Sequence, residues 1–269
     1  CNNFCSFCKV PLVRGRSKSR PPEEVISEFS RLVKSGYKEI ILCGICLGSW
    51  GMDPGFKLDR LLGEIELKAK GDYRIRLSSI EPWYVTDGLI KKAAGSKKIC
   101  PHLHIPLQSG DDNILKRMNR RYSPSDFKRL VKKIRDTMPE IAFTTDILVG
   151  FPGETDKAFD NTLKTIEVTK PSRAHIFPYS PRKGTRAYGF GDLPGKETVN
   201  KRIKKLKALT DMLALEYRKG FEGKSLQVLV EDKRDPQTGL LTGYTDNYIR
   251  VILPGSDNLM GKFINTPLP

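Results

Sequence analysis

The chain reads as an α/β protein, a partial (β/α) barrel followed by a small all-β barrel. Three observations predict this. Short apolar runs of strand length alternate with segments whose apolar residues recur at helical spacing. Polar and glycine-rich residues gather just after those runs. Beyond residue 221 the pattern changes to short alternating strands separated by Gly turns.

Pro21, Pro22, Glu23 and Glu24 open a helix, because proline fits the first turn and acids favour the positive end of the helix dipole. Val25, Ile26, Phe29, Leu32 and Val33 form its apolar stripe, and Gly36 stops it. Glu39 to Cys43 is a strand around Ile40, Ile41 and Leu42. Leu58, Leu61, Leu62 and Ile65 mark the next helix. Tyr73 to Ser79 reads as a strand, Asp87 to Ala94 as a helix and His102 to Leu107 as a strand. Ser123-Pro124-Ser125-Asp126 caps a helix carrying Phe127, Leu130, Val131 and Ile134. A strand from Ile141 to Val149, a helix through Phe159, Leu163 and Ile166, and a strand from Ala174 to Tyr179 complete the alternation. Strands separated by such helices imply a parallel sheet of βαβ units, whose chemistry gathers at the C-terminal strand ends. The expected mouth residues are therefore Cys43-Gly44, Ser78 to Pro82, Gln108-Ser109-Gly110, Gly150 to Glu154 and Pro178 to Ser180.

A long basic helix from about Lys196 to Phe221 carries the stripe Val199, Ile203, Leu206, Leu209, Leu213 and Tyr217. Leu226 to Glu231 is then a strand, followed by a Gly/Thr-rich turn region, a strand over Tyr248 to Ile252 and the start of another at Gly261 to Ile264. The domains are placed at 1–221 and 222–269.

The 269 residues include 38% hydrophobic and 29% charged residues, an ordinary globular balance able to bury a sizeable core. No apolar run approaches the ~20 residues of a membrane-crossing helix. Six cysteines in a chain this long do not resemble a secreted disulfide scaffold, so reduced thiols and a cytoplasmic location are expected. A formal net charge of +16 favours a polyanionic partner. Basic residues cluster at Arg14, Arg16, Lys18 and Arg20, at Arg117, Arg120 and Arg121, and at Lys201, Arg202, Lys204, Lys205 and Lys207; the last group shares its helix with the apolar stripe and reads largely as a solvated face.

The first eight residues hold Cys1, Cys5 and Cys8 in a CxxxCxxC loop. Thiolate-only ligation favours zinc, copper(I) or iron–sulfur over harder metals. Closed structural zinc sites take four ligands, as do the clusters of simple electron carriers. Three thiols without a close fourth suggest a cluster with one metal position open to a small molecule. A zinc knuckle completed by His102 or His104, or chance clustering of the three cysteines, is the competing reading. Such a loop normally follows a strand, and the sequence starts on it without Met, so the chain is expected to be a piece lacking its N-terminal part.

With Phe7 just before the third cysteine, the loop resembles the radical S-adenosylmethionine superfamily. Cys1 to Arg20, Leu103 to Gly110, Asp146 to Glu154 and the basic tail together resemble the superfamily's methylthiotransferases over essentially the whole chain, the tail resembling a TRAM RNA-binding domain. Gly44 to Gly51, Arg76 to Pro82 and His175 to Ser180 are most similar to the threonylcarbamoyladenosine tRNA methylthiotransferases. The resemblance implies an enzyme adding a methylthio group to carbon 2 of N6-threonylcarbamoyladenosine beside the tRNA anticodon. Its alternatives are relatives acting on isopentenyladenosine or on a ribosomal-protein aspartate, and, in another class, a non-catalytic zinc-containing RNA-binding protein.

What it implies for residues is specific. Cys1, Cys5 and Cys8 would hold a 4Fe-4S cluster whose open iron binds S-adenosyl-L-methionine and splits it reductively. The resulting radical removes hydrogen from an adenine carbon that no side-chain base reaches. Phe7, Ser79, Glu81, Gln108, Asp146, Gly150 and Gly153 would line the cofactor pocket, with a tight turn as the alternative role of the two glycines. Arg14, Arg16, Lys18, Arg20, Lys224, Lys233, Arg234 and Arg250 would meet the tRNA anticodon stem-loop, chiefly through phosphates. A second 4Fe-4S cluster is expected only in an N-terminal domain outside this sequence, together with an external electron donor, no membrane, and a monomeric state. Cys43 and Cys46 are read as ordinary apolar cysteines, although the family more often has a polar or imidazole residue near Cys46. Cys100 is read as structural, and His102, His104 and His175 as packing or hydrogen-bonding residues rather than ligands.

Overall fold

The structure, a computed structural model, describes residues 1–53 and 55–268. After the cysteine loop come α1 (Val10–Arg14), α2 (Pro22–Lys34), β1 (Glu39–Leu42), α3 (Leu58–Lys68), β2 (Arg74–Leu77), α4 (Asp87–Ala94) and β3 (His102–His104). Then follow α5 (Asp112–Arg117), α6 (Pro124–Thr137), β4 (Ala142–Val149), α7 (Asp156–Thr169), β5 (Arg173–Pro178) and α8 (Lys196–Lys219). The tail holds β6 (Ser225–Arg234), β7 (Leu241–Thr245), β8 (Arg250–Leu253) and β9 (Phe263–Pro267).

The first five strands run parallel in sequence order. β1 pairs with β2, β2 reaches the segment before β3 through an Ile75–Ile99 bridge, and β3, β4 and β5 follow side by side. Their outer face packs on the helices in one large core containing Leu62, Ile65, Ile75, Leu103, Phe127, Phe143 and Ile147. The inner face is polar. Arg74 and Arg76 on β2, His102 and His104 on β3, and Thr144 and Asp146 on β4 alternate with the apolar residues of that core. The α6 N-terminus carries the cap anticipated from the sequence, in the form of a reciprocal Ser123–Asp126 capping box.

The tail is a four-stranded antiparallel sheet in the order β8-β7-β6-β9, over its own core of Phe221, Val228, Val230, Leu241 and Val251. It is not isolated from the first unit. Arg74 and Arg76 are buried, fork onto Glu39, and donate to the Tyr244, Thr245 and Asp246 carbonyls of the tail. The Arg76 guanidinium also lies 4.4 Å over the Tyr248 ring, and the His102 ring packs 4.9 Å from that ring. The tail therefore closes the N-terminal end of the half-barrel opposite the mouth.

Four expectations change. The strands expected over 73–79 and 102–107 shorten to β2 and β3, because the chain leaves the ladder to build the mouth loops. The Gly/Thr-rich stretch expected as a turn is β7, a central strand; a Cβ on Gly243 would sit 2.5 Å from the Leu229 carbonyl oxygen, so glycine marks close strand contact here. The short helices α1 and α5 were not anticipated. Arg120, grouped with Arg117 and Arg121 as basic residues that favour a polyanion, is buried.

Candidate cofactor site at the barrel mouth

The cysteine loop is held at the mouth by backbone and side-chain hydrogen bonds to the elements around it. Ser6 N–H donates to the Met118 carbonyl (3.0 Å) and Ser6 Oγ to the Arg117 carbonyl (2.7 Å), while Ala187 N–H donates to Ser6 O. Asn119 Nδ2 donates to the Phe4 carbonyl at 2.8 Å. Asn3, buried behind the loop, accepts from the Tyr84 hydroxyl. These contacts tie the loop to the end of α5 and to the loop after β2.

Cys1, Cys5 and Cys8 are unpaired and half-buried, and they share one cleft with Phe7, Glu81, Gln108 and Arg120. Phe7 packs edge-on against Phe151, with centroids 6.3 Å apart. Gln108 sits in the left-handed region at φ 63°, locked by β4 on both sides: its N–H donates to Asp146 O (2.8 Å) and its carbonyl accepts from Leu148 N–H (2.9 Å). A non-glycine residue held there stores about 1 kcal/mol or more, a strain that clusters at functional sites.

Arg120 is the residue the sequence reading missed. Its side chain is 1% exposed and forks onto the Glu81 carboxylate. The same guanidinium donates to Cys5 Sγ at 3.2 Å and to the Tyr122 hydroxyl, and lies over the Trp83 and Tyr122 rings. Burial pushes the Cys5 thiol up, and the charge and hydrogen bond of Arg120 oppose that. The only sequence signal for this role is the position of Arg120 just beyond α5, and the neighbouring arginines mask it.

The donor set suits a soft polynuclear group. Among the described residues only His104, Asp146 and His175 gather three candidate ligand atoms within 4.8 Å of one another. The three sulfurs of the loop do not form so tight a group. Three half-buried thiols with a buried cation donating to one of them fit the anionic sulfur environment of an iron–sulfur cluster.

The other anticipated residues divide. Ser79 is exposed and does not line the cleft. Gly150 and Gly153 take φ near 80°, and the space a Cβ would need is filled by Val199 and by Arg117 respectively, which fits a tight turn at this strand end. Asp146 lies one step below Gln108 on the inner face, 3.1 Å from His104 Nε2. Arg14, Arg16, Lys18 and Arg20 line a groove of about 900 Å³ that shares Cys1 and Ile45 with the thiol cleft. Arg20 is paired with Glu24 and Glu28 and Arg16 lies over Phe4, while Arg14 and Lys18 are exposed. In the tail, Arg234 holds Asp257 and the Gly239 and Gly255 carbonyls, Arg250 pairs with Asp235, and Lys224 pairs with Glu140; Lys233 is exposed. Cys46 Sγ accepts from Asn3, Cys43 is exposed and Cys100 is buried. Among the described residues no helix is long and apolar enough to cross a membrane.

Comparisons with known proteins agree with this geometry. The sequence model of the radical SAM superfamily matches residues 1–166. The threonylcarbamoyladenosine tRNA methylthiotransferase of Bacillus subtilis is 42% identical over 100% of this chain and 60% of its own length. Its namesake from Thermotoga maritima is 44% identical over 98% of this chain and 60% of its own length. The tRNA-2-methylthio-N(6)-dimethylallyladenosine synthase of Carboxydothermus hydrogenoformans is 40% identical over 100% of this chain and 61% of its own length. The chain thus spans about 60% of the length of these relatives. Among solved structures, coproporphyrinogen III oxidase of Escherichia coli, a radical SAM enzyme, superposes with a TM-score of 0.59 at 14% identity, covering 91% of this chain and 64% of that one, which bears on the fold alone. With the family match spanning more than half its residues and the cysteine loop seated at the mouth of a parallel half-barrel, the chain belongs to the radical SAM superfamily.

Proposed function

We propose that this chain is the radical core and RNA-binding tail of a cytoplasmic tRNA methylthiotransferase acting on carbon 2 of N6-threonylcarbamoyladenosine. The observation that carries the reading is the continuity of two cavities: the thiol cleft at the mouth and the groove lined by Arg14, Arg16, Lys18 and Arg20 share Cys1 and Ile45. A nucleic acid lying in that groove would bring a base to the cleft, its phosphates held by basic side chains that carry no sequence information.

A 4Fe-4S cluster held by Cys1, Cys5 and Cys8, with S-adenosyl-L-methionine, would supply the radical chemistry that an unreactive adenine C–H bond requires. The chain's own residues prepare the space for it. Arg120 neutralises the thiolate face and holds the Glu81 carboxylate at the cleft wall, where Glu81 can meet an amino group. Phe7 and Phe151 form an apolar side that excludes water. Gln108 offers its amide from a backbone position fixed by β4. A second cluster, the source of the inserted sulfur, would lie in residues outside this sequence.

Similarity at 42% and 44% to two threonylcarbamoyladenosine enzymes supports the substrate. Similarity at 40% to a dimethylallyladenosine enzyme makes that base the second reading. Mass spectrometry of tRNA nucleosides from cells lacking the full gene separates them. Loss of methylthio-threonylcarbamoyladenosine is expected; its persistence contradicts the reading, and loss of the dimethylallyl product instead favours the second.

A further inference from the structure

Below Gln108 the inner wall of the half-barrel carries a second polar group. His104 Nε2 lies 3.1 Å from Asp146 Oδ2, and the His104 and His175 rings are 5.8 Å apart. Three potential ligands so close invite a metal reading, but the hydrogen-bond order opposes it. His102 is pushed down to about 3 chiefly by burial, so its ring is neutral, and its Nδ1 has no partner. An unpaired lone pair is the less costly arrangement there than an unpaired N–H, which places the proton on Nε2, facing Thr144 Oγ1 at 3.1 Å. The Thr144 hydroxyl then donates to His104 Nδ1 at 2.9 Å, and His104 Nε2–H donates to Asp146. The chain is satisfied end to end and leaves no His104 lone pair for a metal.

What that chain leaves open is β5, the outermost strand. Ala174 and Ile176 pack into the main core, so Arg173, His175 and Phe177 point into the half-barrel at alternate positions, about 7 Å apart. Phe177 is 50% exposed, and the His175 ring stacks near it with planes 24° apart. Arg173 is exposed and forms no ion pair among the described residues. Arg74, Arg76 and Arg120, the other arginines on this inner surface, are all buried and committed to glutamates. This wall offers an aromatic face, an imidazole and a free cation in a row, with β4 between it and Gln108.

We propose that Arg173 and His175 read a carboxylate on the N6 substituent of the target adenine, with Phe177 packing against the base, so that β5 selects an acidic substituent over an apolar one. This rests on the tRNA-base reading above. A charge-assisted contact between guanidinium and carboxylate supplies the discrimination, and an apolar substituent would leave Arg173 desolvated without a partner.

The test uses cluster-loaded protein with S-adenosylmethionine and fluorescent anticodon stem-loop RNAs. One RNA bears threonylcarbamoyladenosine, one its methyl ester, and one unmodified adenosine. Wild type should bind the free acid about tenfold tighter than the ester, a 1.4 kcal/mol difference. Arg173→Met and His175→Phe should each reduce that preference to less than threefold while leaving the affinity for the ester and unmodified RNAs unchanged. Equal binding of acid and ester by wild type, a preference that survives Arg173→Met, or a loss shared equally by all three RNAs overturns the proposal. Absence of binding to any of the RNAs removes the tRNA reading as well, and so is distinguishable from a failure of β5 alone.

Discussion

Arg120 donates to Cys5 Sγ at 3.2 Å from a side chain that is 1% exposed, and the same guanidinium forks onto Glu81. The pairing makes Arg120 the electrostatic centre of the thiol cleft, since it meets the ligand loop, the β2-end loop and the Tyr122 hydroxyl at once.

Replacing Arg120 by Met removes that centre. Glu81 is left without its counter-charge, and removal of one partner of a buried pair costs about 3 kcal/mol. A thermal melt should show the loss. Iron content after anaerobic reconstitution should fall too, and Arg120→Lys, which restores charge without the fork, should recover part of it. Unchanged iron retention in Arg120→Met with an intact fold would contradict a role at the thiolates.

Glu39 couples the half-barrel floor to the tail. Burial pushes its carboxyl up, but hydrogen bonds from Arg76 and the charges of Arg76 and Arg74 outweigh that and hold it below the usual range. A carboxyl depressed in the folded state stabilises fully above its unfolded value near 4.3, and the contribution is lost as pH falls through the folded value. Urea unfolding across pH should therefore show stability dropping below about pH 4.5 in wild type. Glu39→Gln should be less stable by roughly 3–5 kcal/mol at pH 7, with a flatter acid limb. A parallel acid limb in the variant would rule out Glu39 as its source.

Gly150 occupies φ 79°, and a Cβ there would lie 2.6 Å from Val199 Cγ2 on α8. Gly150→Ala should cost about 2–4 kcal/mol by adding backbone strain to overpacking. Combining it with Val199→Ala separates the two, since only the overpacking is relieved. If the double-mutant cycle shows no coupling, the close approach of α8 to this turn is wrong.

The parallel strands and their helices were legible because period and length agree along the chain. Leu58, Leu61, Leu62 and Ile65 do form the buried face of α3, and Ser123 with Asp126 does cap α6. The three loop cysteines and the neighbouring Glu81 and Gln108 do meet at one cleft. β7 was missed because Gly243 and two threonines read as a turn, whereas the central position in the sheet, not local propensity, makes them a strand. Arg120 was misread because a basic cluster carries no mark of which member turns inward. The tail cations were legible as charge but not as ion pairs, because the acidic partners Asp235, Asp257 and Glu140 lie 15 to 84 residues from them. Likewise, the inner-face alignment of Arg173, His175 and Phe177 appears only when the partner strand fixes which side is inside.

The most direct test of the account is Mössbauer spectroscopy with iron and sulfide analysis of the anaerobically reconstituted protein, before and after addition of S-adenosylmethionine. About four irons and four sulfides per chain are expected, with one iron site whose signal changes when the cofactor is added, and loss of the cluster in Cys5→Ser. A single tightly held zinc per chain, with no sulfide and no response to S-adenosylmethionine, would contradict it.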